Sequence, residues 1–327
     1  MTNHIFCEPS PGIVAHTSLS RVLAEDKAMA SWVGFVTEDM HPASSRTITA
    51  LELHPEANSN TQTGFCVAHN TVDIEPLFAT IGKDPERAKR MGEAMTSLTG
   101  GEGYELSYLL ENYDWEALDK AGGTFVDVGG SHGFVCVALA EKYPSLKFVV
   151  EDLPKTVSSA PTLPSTLSSR ISFLAHDFFN PQPVRGADVY FFRWVLHNQS
   201  DKYAIPMLRA LTPALKKGAR VLINDHVLRE PGEEGAWDEK IMRTMDLVML
   251  TMLNAKERTA EEFRELFAEA DSRWGWVGVT RAKGYRMGIV EVVWEGEDFV
   301  EEGEREGKVE DVIKGKDLKL ESEEVKN

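Results

Sequence analysis

Apolar positions along this chain change their rhythm near residue 120. From Thr17 to Asn112 they recur at helical spacing, and no stretch alternates as a strand would. The pattern predicts a helix from Ser18 to Ala30, then helices over Ile48–Leu53, Asp73–Ile81 and Pro85–Leu98. Asp84 before Pro85 is a cap and first-turn pair for the last of these. Beyond residue 120, short β-rich runs at 124–128, 147–150, 171–174, 187–192 and 219–224 alternate with helical segments such as Phe134–Lys142 and Ala204–Leu215. Such alternation marks right-handed βαβ crossovers and a parallel sheet covered on both faces. Trp274–Thr280 and Ile289–Trp294 are joined by a loop too short for a crossover helix, so they must pair as an antiparallel hairpin. The fold expected is α/β, a Rossmann-like sheet of seven strands with the last antiparallel, behind a helical N-terminal part. Its predicted units are a helical region 1–115, an α/β domain 116–296 and a charged tail 297–327.

Charge and cysteine usage narrow the partners. The 327 residues carry 35 Lys and Arg against 52 Asp and Glu, a net charge of −17, which argues against a nucleic-acid backbone as ligand. From Glu295 to Asn327, 13 acids face 6 bases, so the tail reads as solvated and disordered. Cys7, Cys66 and Cys136 are widely spaced with no CxxC, which fits a reducing compartment and neither a disulfide framework nor a structural zinc site. No apolar run reaches membrane-spanning length and the N-terminus has no secretory pattern, so a cytoplasmic protein without a membrane partner is expected.

The chemistry begins at Phe125-Val-Asp-Val-Gly-Gly-Ser-His-Gly133, where a strand delivers Asp127 and the glycines 129, 130 and 133 to a turn that opens a helix. Glycines let a backbone approach a ligand closely. Asp152, at the end of the next apolar run, is placed to hold a ribose diol. NAD, FAD and S-adenosylmethionine sites all use such a turn. The spacing here is Gly-Gly-x-x-Gly, preceded by a carboxylate that would repel a pyrophosphate and attract a sulfonium cation, and the terminal hairpin points the same way. S-adenosyl-L-methionine is therefore the expected cofactor. His132 occupies a position where a positive φ is expected, a backbone role rather than a catalytic one.

A second constellation follows the fourth strand: Arg193-Trp-Val-Leu-His197-Asn-Gln-Ser-Asp201. Ligands bind beyond the carboxyl ends of strands in open α/β sheets, which puts His197 on the cofactor side. Asp225 ends the fifth strand and Glu257 precedes a later helix. A phenol with pKa near ~10 would lose its proton to a neutral imidazole, whose other nitrogen a carboxylate orients.

These motifs resemble the caffeic-acid type of plant and fungal O-methyltransferases, most closely the fungal members that act on aromatic polyketides. The resemblance is carried by residues 126–133, Val-Val-Glu-Asp-Leu-Pro (149–154), His-Asp-Phe-Phe (176–179), residues 193–201 and Asn-Ala-Lys-Glu-Arg-Thr (254–259). It implies that Gly129, Asp152, Leu153 and Asp177 contact the cofactor, with Phe178 against its adenine. Arg193 stands where plant members have a cofactor-contacting Lys. His197 matches the general base and Glu257 one of two orienting acids. Asp225 stands for the other, where plant members have a longer Glu. No metal site is implied. The substrate class implied is a small phenolic metabolite; the alternative is a non-catalytic S-adenosylmethionine-binding partner in a biosynthetic complex.

Residues 6–17 resemble the wing that ends the family's winged-helix dimerisation domain, whose first helices have no counterpart here. A homodimer is implied, with association weakened by that difference. The Met242, Met245, Met249 and Met252 stripe reads equally as core packing or as a pliable wall for a flat acceptor. Trp194, Trp274 and Trp276 read as packing residues.

Overall fold

A computed structural model describes residues 2–101 and 103–299. The predicted charged tail lies outside them from residue 300 onward.

The front of the chain opens with a hairpin of β1 (Phe6–Ser10) and β2 (Ile13–His16), where the resemblance places a wing. Helices follow, and their ends have local causes. The stretch expected as one helix from Ser18 is two, Ser18–Glu25 and Lys27–Phe35. Asp26 divides them: its extended backbone stops the first, and its carboxylate accepts from the N–H groups of Ala28 and Met29 to start the second. The helix expected from Asp73 begins only at Leu77, because Asp73 is left-handed (φ 56°) and Pro76 supplies the N-cap. Pro85–Thr99 is capped by Asp84 as predicted.

The second half is one sheet. Its strands are β3 (Thr124–Val128), β4 (Lys147–Asp152), β5 (Ile171–Ala175), β6 (Val189–Arg193) and β7 (Arg220–Asn224). A separate two-residue pair, β8 (Val227–Leu228) and β9 (Arg258–Thr259), comes next in the chain, followed by the sheet strands β10 (Trp274–Thr280) and β11 (Ile289–Trp294). The seven-stranded order is β10-β11-β7-β6-β3-β4-β5, with β11 alone running against β7 and β10. The expected architecture, reversed strand included, is therefore present. The helix expected over 204–215 starts earlier, at Asp201, and stops at Leu211, where Pro213 holds a 3-10 turn.

Alternate residues of the central strands feed two cores. Val126, Tyr190 and Val221 face the helices Asp201–Leu211 and Ala260–Ala270, whereas Phe125, Phe148 and Phe191 face Phe134–Lys142. Both faces of the sheet are thus dry, which explains why every residue of β3 and β6 is buried and neither strand alternates with solvent-facing positions. A third core joins Phe35, Phe65, Leu77 and Ile81 of the front to Met249, Met252 and Leu253 of the helix Ala236–Leu253. Those two methionines are core residues, which decides the stripe in favour of packing there. Trp274 is likewise buried in the sheet core.

The chain steps outward from β3 to β4 and β5, then returns to place β6 on β3's other side. The carboxyl ends of β3 and β6 therefore flank the point where the winding reverses, the usual place for a ligand.

Candidate active site

The turn after β3 is shaped by three left-handed residues, Gly129 (φ 74°), Ser131 (φ 53°) and Gly133 (φ 73°). The positive φ falls on Ser131 and not on His132, whose exposed ring instead meets Ser159 Oγ at 3.1 Å. The N–H groups of Gly129 and Gly130 both donate to the Glu151 carbonyl, at 2.8 and 3.0 Å, which folds the turn back on β4. A Cβ on Gly130 would lie 2.4 Å from Asp127 Cγ, so the buried carboxylate sits directly beneath the turn. A Cβ on Gly133 would lie 2.9 Å from Val150 Cγ2; this glycine packs the helix onto the sheet, as the third glycine of a dinucleotide site also does. Glycine spacing alone therefore separates the cofactors less than the carboxylates and the reversed strand do.

The acids and rings expected around the turn gather there. Asp152 Oδ2 accepts from Ser131 N at 2.9 Å and Oδ1 from Leu153 N at 2.8 Å, so the carboxylate is locked at the turn's rim. Leu153 is exposed beside it. Asp177 accepts from Phe179 N at 3.0 Å, and the neighbouring Phe178 ring reaches within 3.9 Å of where a Gly129 Cβ would be. Arg193 is buried. Its guanidinium bonds Asn224 and donates to the Tyr104 carbonyl at 3.0 Å, leaving Nε without a partner.

Trp194 has φ 58°, a conformation that costs a bulky residue roughly 1–3 kcal/mol and concentrates at functional sites. It turns the chain out of β6 into the short 3-10 turn Leu196–Asn198, which carries His197. Arg258 holds that turn: its buried guanidinium donates to the carbonyls of Leu196 (2.9 Å) and Gln199 (2.7 Å) and to Asp201 Oδ1. The neighbour of Arg258, Glu257, meets the His197 imidazole. Glu257 Oε1 lies 3.0 Å from His197 Nδ1 and 2.9 Å from His226 Nδ1. The β8–β9 ladder makes this meeting possible. It pairs Val227 with Arg258, so the preceding residues, His226 and Glu257, come side by side. Asp225, by contrast, takes the His197 backbone N–H (3.1 Å) on Oδ2; its other oxygen is buried without a partner.

The electrostatics set the protons. Burial opposes the Glu257 charge, but the two imidazoles outweigh it and hold the carboxyl down at about 2. An ionised carboxylate only accepts, so both Nδ1 atoms carry hydrogens and the Nε2 of neutral His197 keeps its lone pair. Burial lowers the proton affinity of His197, yet Glu257 and then Asp225 raise it above the ordinary value, against a smaller opposing effect of Arg258. Burial raises Asp225 above the usual carboxylate range. It also pushes Asp127 up to about 7, with Arg193 pulling down and Asp152 pushing up. Arg193 in turn is held at about 10 by burial, against Asp225 and Asp127. The turn and His197 thus share one electrostatic neighbourhood, linked through Arg193 and Asp225.

A family model described as the O-methyltransferase domain matches residues 56–273. The chlorophenol O-methyltransferase of Trichoderma longibrachiatum is 57% identical over 298 residues, covering 90% of this chain and 64% of that protein. The O-methyltransferase AMT9 of Alternaria alternata is 40% identical over 299 residues, 90% of this chain and 68% of its own length. The chain belongs to the O-methyltransferase domain family. It spans less than two thirds of the Trichoderma relative's length. Two solved structures share the fold. OxaC, in complex with sinefungin and meleagrin, aligns with TM-score 0.74 at 24% identity over 89% of this chain and 72% of its own. The mitomycin 7-O-methyltransferase MmcR aligns at 0.72 and 24%, over 90% and 80%.

Three residues of this O-methyltransferase domain escape sequence reading. His226 follows Asp225 directly, and its signal was that adjacency. Arg258 follows Glu257 and was hidden by the habit of placing arginines on the surface. Tyr104, whose hydroxyl lies 3.3 Å from His226 Nε2, comes from the helical front and has no local signature. His197, His226 and Glu257 also have donor atoms within 4.8 Å of one another, the spacing of a metal site, but hydrogen bonds to one carboxylate oxygen account for both imidazole Nδ1 atoms.

Proposed function

We propose that this protein is an S-adenosylmethionine-dependent O-methyltransferase that methylates a phenolic hydroxyl of a small aromatic metabolite, with His197 as general base. The observation that carries the reading is the buried Glu257–His197 pair, which occupies Nδ1 and leaves Nε2 of a raised imidazole for an acceptor, two residues along from Val195, which packs on Gly129 of the turn. A non-catalytic binding partner would have no use for that pair.

The residues fit the cofactor. Asp127 is buried, displaced upward by burial, and next to the turn, so a cation placed above it would restore its charge. Asp152 at the rim suits a ribose diol, and Phe178 offers a ring face beside Gly129. Two carboxylates at one turn would repel a pyrophosphate. Bound there, S-adenosylmethionine would supply a methyl group already activated on a sulfonium. The protein's own tasks are then to orient the acceptor and to remove its proton. Nε2 of His197 takes that proton, Glu257 stabilises the resulting imidazolium through Nδ1–H, and Arg258 keeps the loop from moving. The Trichoderma relative's name, a chlorophenol methyltransferase, supports a phenolic acceptor.

His197→Gln is expected to lower methylation of a phenol panel by about 10²–10⁴-fold. Calorimetric affinity for S-adenosylmethionine should stay within a few-fold of wild type. Equal loss of both would remove His197 from the base role.

A second copy of the chain is the proposed partner. Phe6, Ile13 and Val14 of the hairpin and Leu19 and Val22 of the first helix are exposed, an apolar face suited to self-association. Val14→Glu should shift light-scattering mass toward the monomer; an unchanged mass would place the contact elsewhere. No helix among the described residues is long and apolar enough to cross a membrane, and the free thiols Cys66 and Cys136 suit a cytoplasmic setting.

A further inference from the structure

Glu257 Oε1 serves two imidazoles, and the base reading uses only one. His226 is fully buried, with Nδ1 2.9 Å from that oxygen and Nε2 3.3 Å from the Tyr104 hydroxyl. Its ring also lies edge-on to Trp194, with centroids 4.9 Å apart. Nothing about the fold requires a histidine there, because an apolar residue would fill the space without needing two partners.

We propose that His226 is a positioning residue that sets the proton affinity of the base: by donating to the oxygen His197 uses, it takes up part of the Glu257 charge and keeps His197 from holding its proton too tightly. This rests on the reading of His197 as general base. The reasoning is electrostatic. A carboxylate beside an imidazole stabilises the imidazolium, and the stronger that stabilisation, the less of the base is neutral at working pH. A second N–H on the same oxygen competes for its lone pairs and disperses its charge. Tyr104 completes the device. Its O–H can donate to Nε2 of a neutral His226, which holds the Nδ1–H tautomer toward Glu257. The tyrosine ring is itself under the Arg286 guanidinium, 5.2 Å from its centroid.

The groups that act on His197 are Glu257 and Asp225, which raise its proton affinity, and Arg258, which lowers it. His226 and Tyr104 make no hydrogen bond to His197 and are linked to it by hydrogen bonds through Glu257. Ring packing joins all three through Trp194 and brings the two imidazole centroids to 6.4 Å. Replacing His226 therefore leaves the charged neighbours of His197 in place, and the packing lost on Trp194 is common to both variants below.

Two amides separate the two sides of the ring. His226→Asn puts an N–H near the position of Nδ1, keeping the donor to Glu257 and losing Tyr104. His226→Gln reaches the position of Nε2, keeping Tyr104 and losing the donor to Glu257. The titration of His197, followed by imidazole NMR in the ligand-free protein and assigned with His197→Gln, should move up by about one pH unit in His226→Gln. It should stay near wild type in His226→Asn. The acid limb of kcat should follow, with about tenfold less activity on the limb and recovery at high pH in the glutamine variant. An unmoved His197 titration in His226→Gln overturns the proposal. So does an activity loss equal at every pH in both variants, the mark of a purely structural residue. Wild-type turnover in His197→Gln would instead overturn the base reading, and this inference with it.

Discussion

Asp127→Asn separates a functional acid from a structural one, because the two roles predict opposite signs. Asp127 is 2% exposed, lies against Gly130 and has Cys136 Sγ at 3.6 Å as a side-chain partner. Burial moves it from its ordinary 3.8 to about 7. A carboxyl raised in this way makes the folded protein bind more protons than the unfolded chain between those two values. Stability therefore falls as pH climbs through that window, and the loss is complete above it. At ~1.36 kcal/mol per pH unit, the interval amounts to about 4 kcal/mol withheld by the ionised form at pH 8. Asparagine never ionises, so it escapes this cost, but its amide brings donors that need partners, at about 1–3 kcal/mol. The ligand-free variant should then be more stable than wild type by about 1–3 kcal/mol at pH 8, with no gain near pH 4. Glu151, also raised to about 7 mainly by burial, is held up in part by the Asp127 charge, so the substitution relaxes it as well and adds to the gain at pH 8. Binding should move the other way. Without the carboxylate, affinity for the sulfonium cofactor should fall about 10–100-fold. Urea unfolding at the two pH values and calorimetry with S-adenosylmethionine measure both effects. A variant less stable at pH 8 than wild type, or one that binds the cofactor equally well, would refute the reasoning.

Two further substitutions probe the base. Glu257→Gln removes the charge that raises His197, so the acid limb of the rate profile should shift to lower pH while kcat falls about 10²–10⁴-fold; an unmoved limb would deny the pairing. The same carboxyl, depressed from 4.5 to about 2, contributes stability that is present above its ordinary value and lost as pH falls toward 2, so the variant should show a shallower acid unfolding curve. Arg258→Ala strips the donors from the Leu196 and Gln199 carbonyls and leaves Asp201, half exposed, with Lys256 alone. With two carbonyls left unpaired at about 1–3 kcal/mol each, unfolding in urea should reveal a loss of about 2–4 kcal/mol, and a loss below about 1 kcal/mol would show that the loop holds itself.

What could be read from sequence follows from how locally each feature is determined. The strand at 124–128 and the helix Phe134–Lys142 match their expected bounds, because a buried parallel strand demands an apolar run and the turn between them demands glycines. Ser131 shows the limit of that reasoning. The turn needs a third left-handed residue, but residue preference pointed to His132, and the carboxylate of Asp152, which accepts Ser131 N–H, decided the matter from another strand. Asp26 lay within reach, since an aspartate inside a helical pattern can cap as well as continue it. The His197–Glu257 pair was legible only as types. An acid near His197 followed from the topology, yet whether Asp225 or Glu257 meets the imidazole depends on a ladder of two residue pairs between β8 and β9. So short a pairing has no periodicity to detect, although it brings Glu257 beside His226. One methylene less at Asp225 leaves that carboxylate on the His197 backbone, and the ladder gives Glu257 to both imidazoles. In this domain the sheet sets where the glycine turn lies, and a ladder of two residue pairs sets which oxygen meets His197.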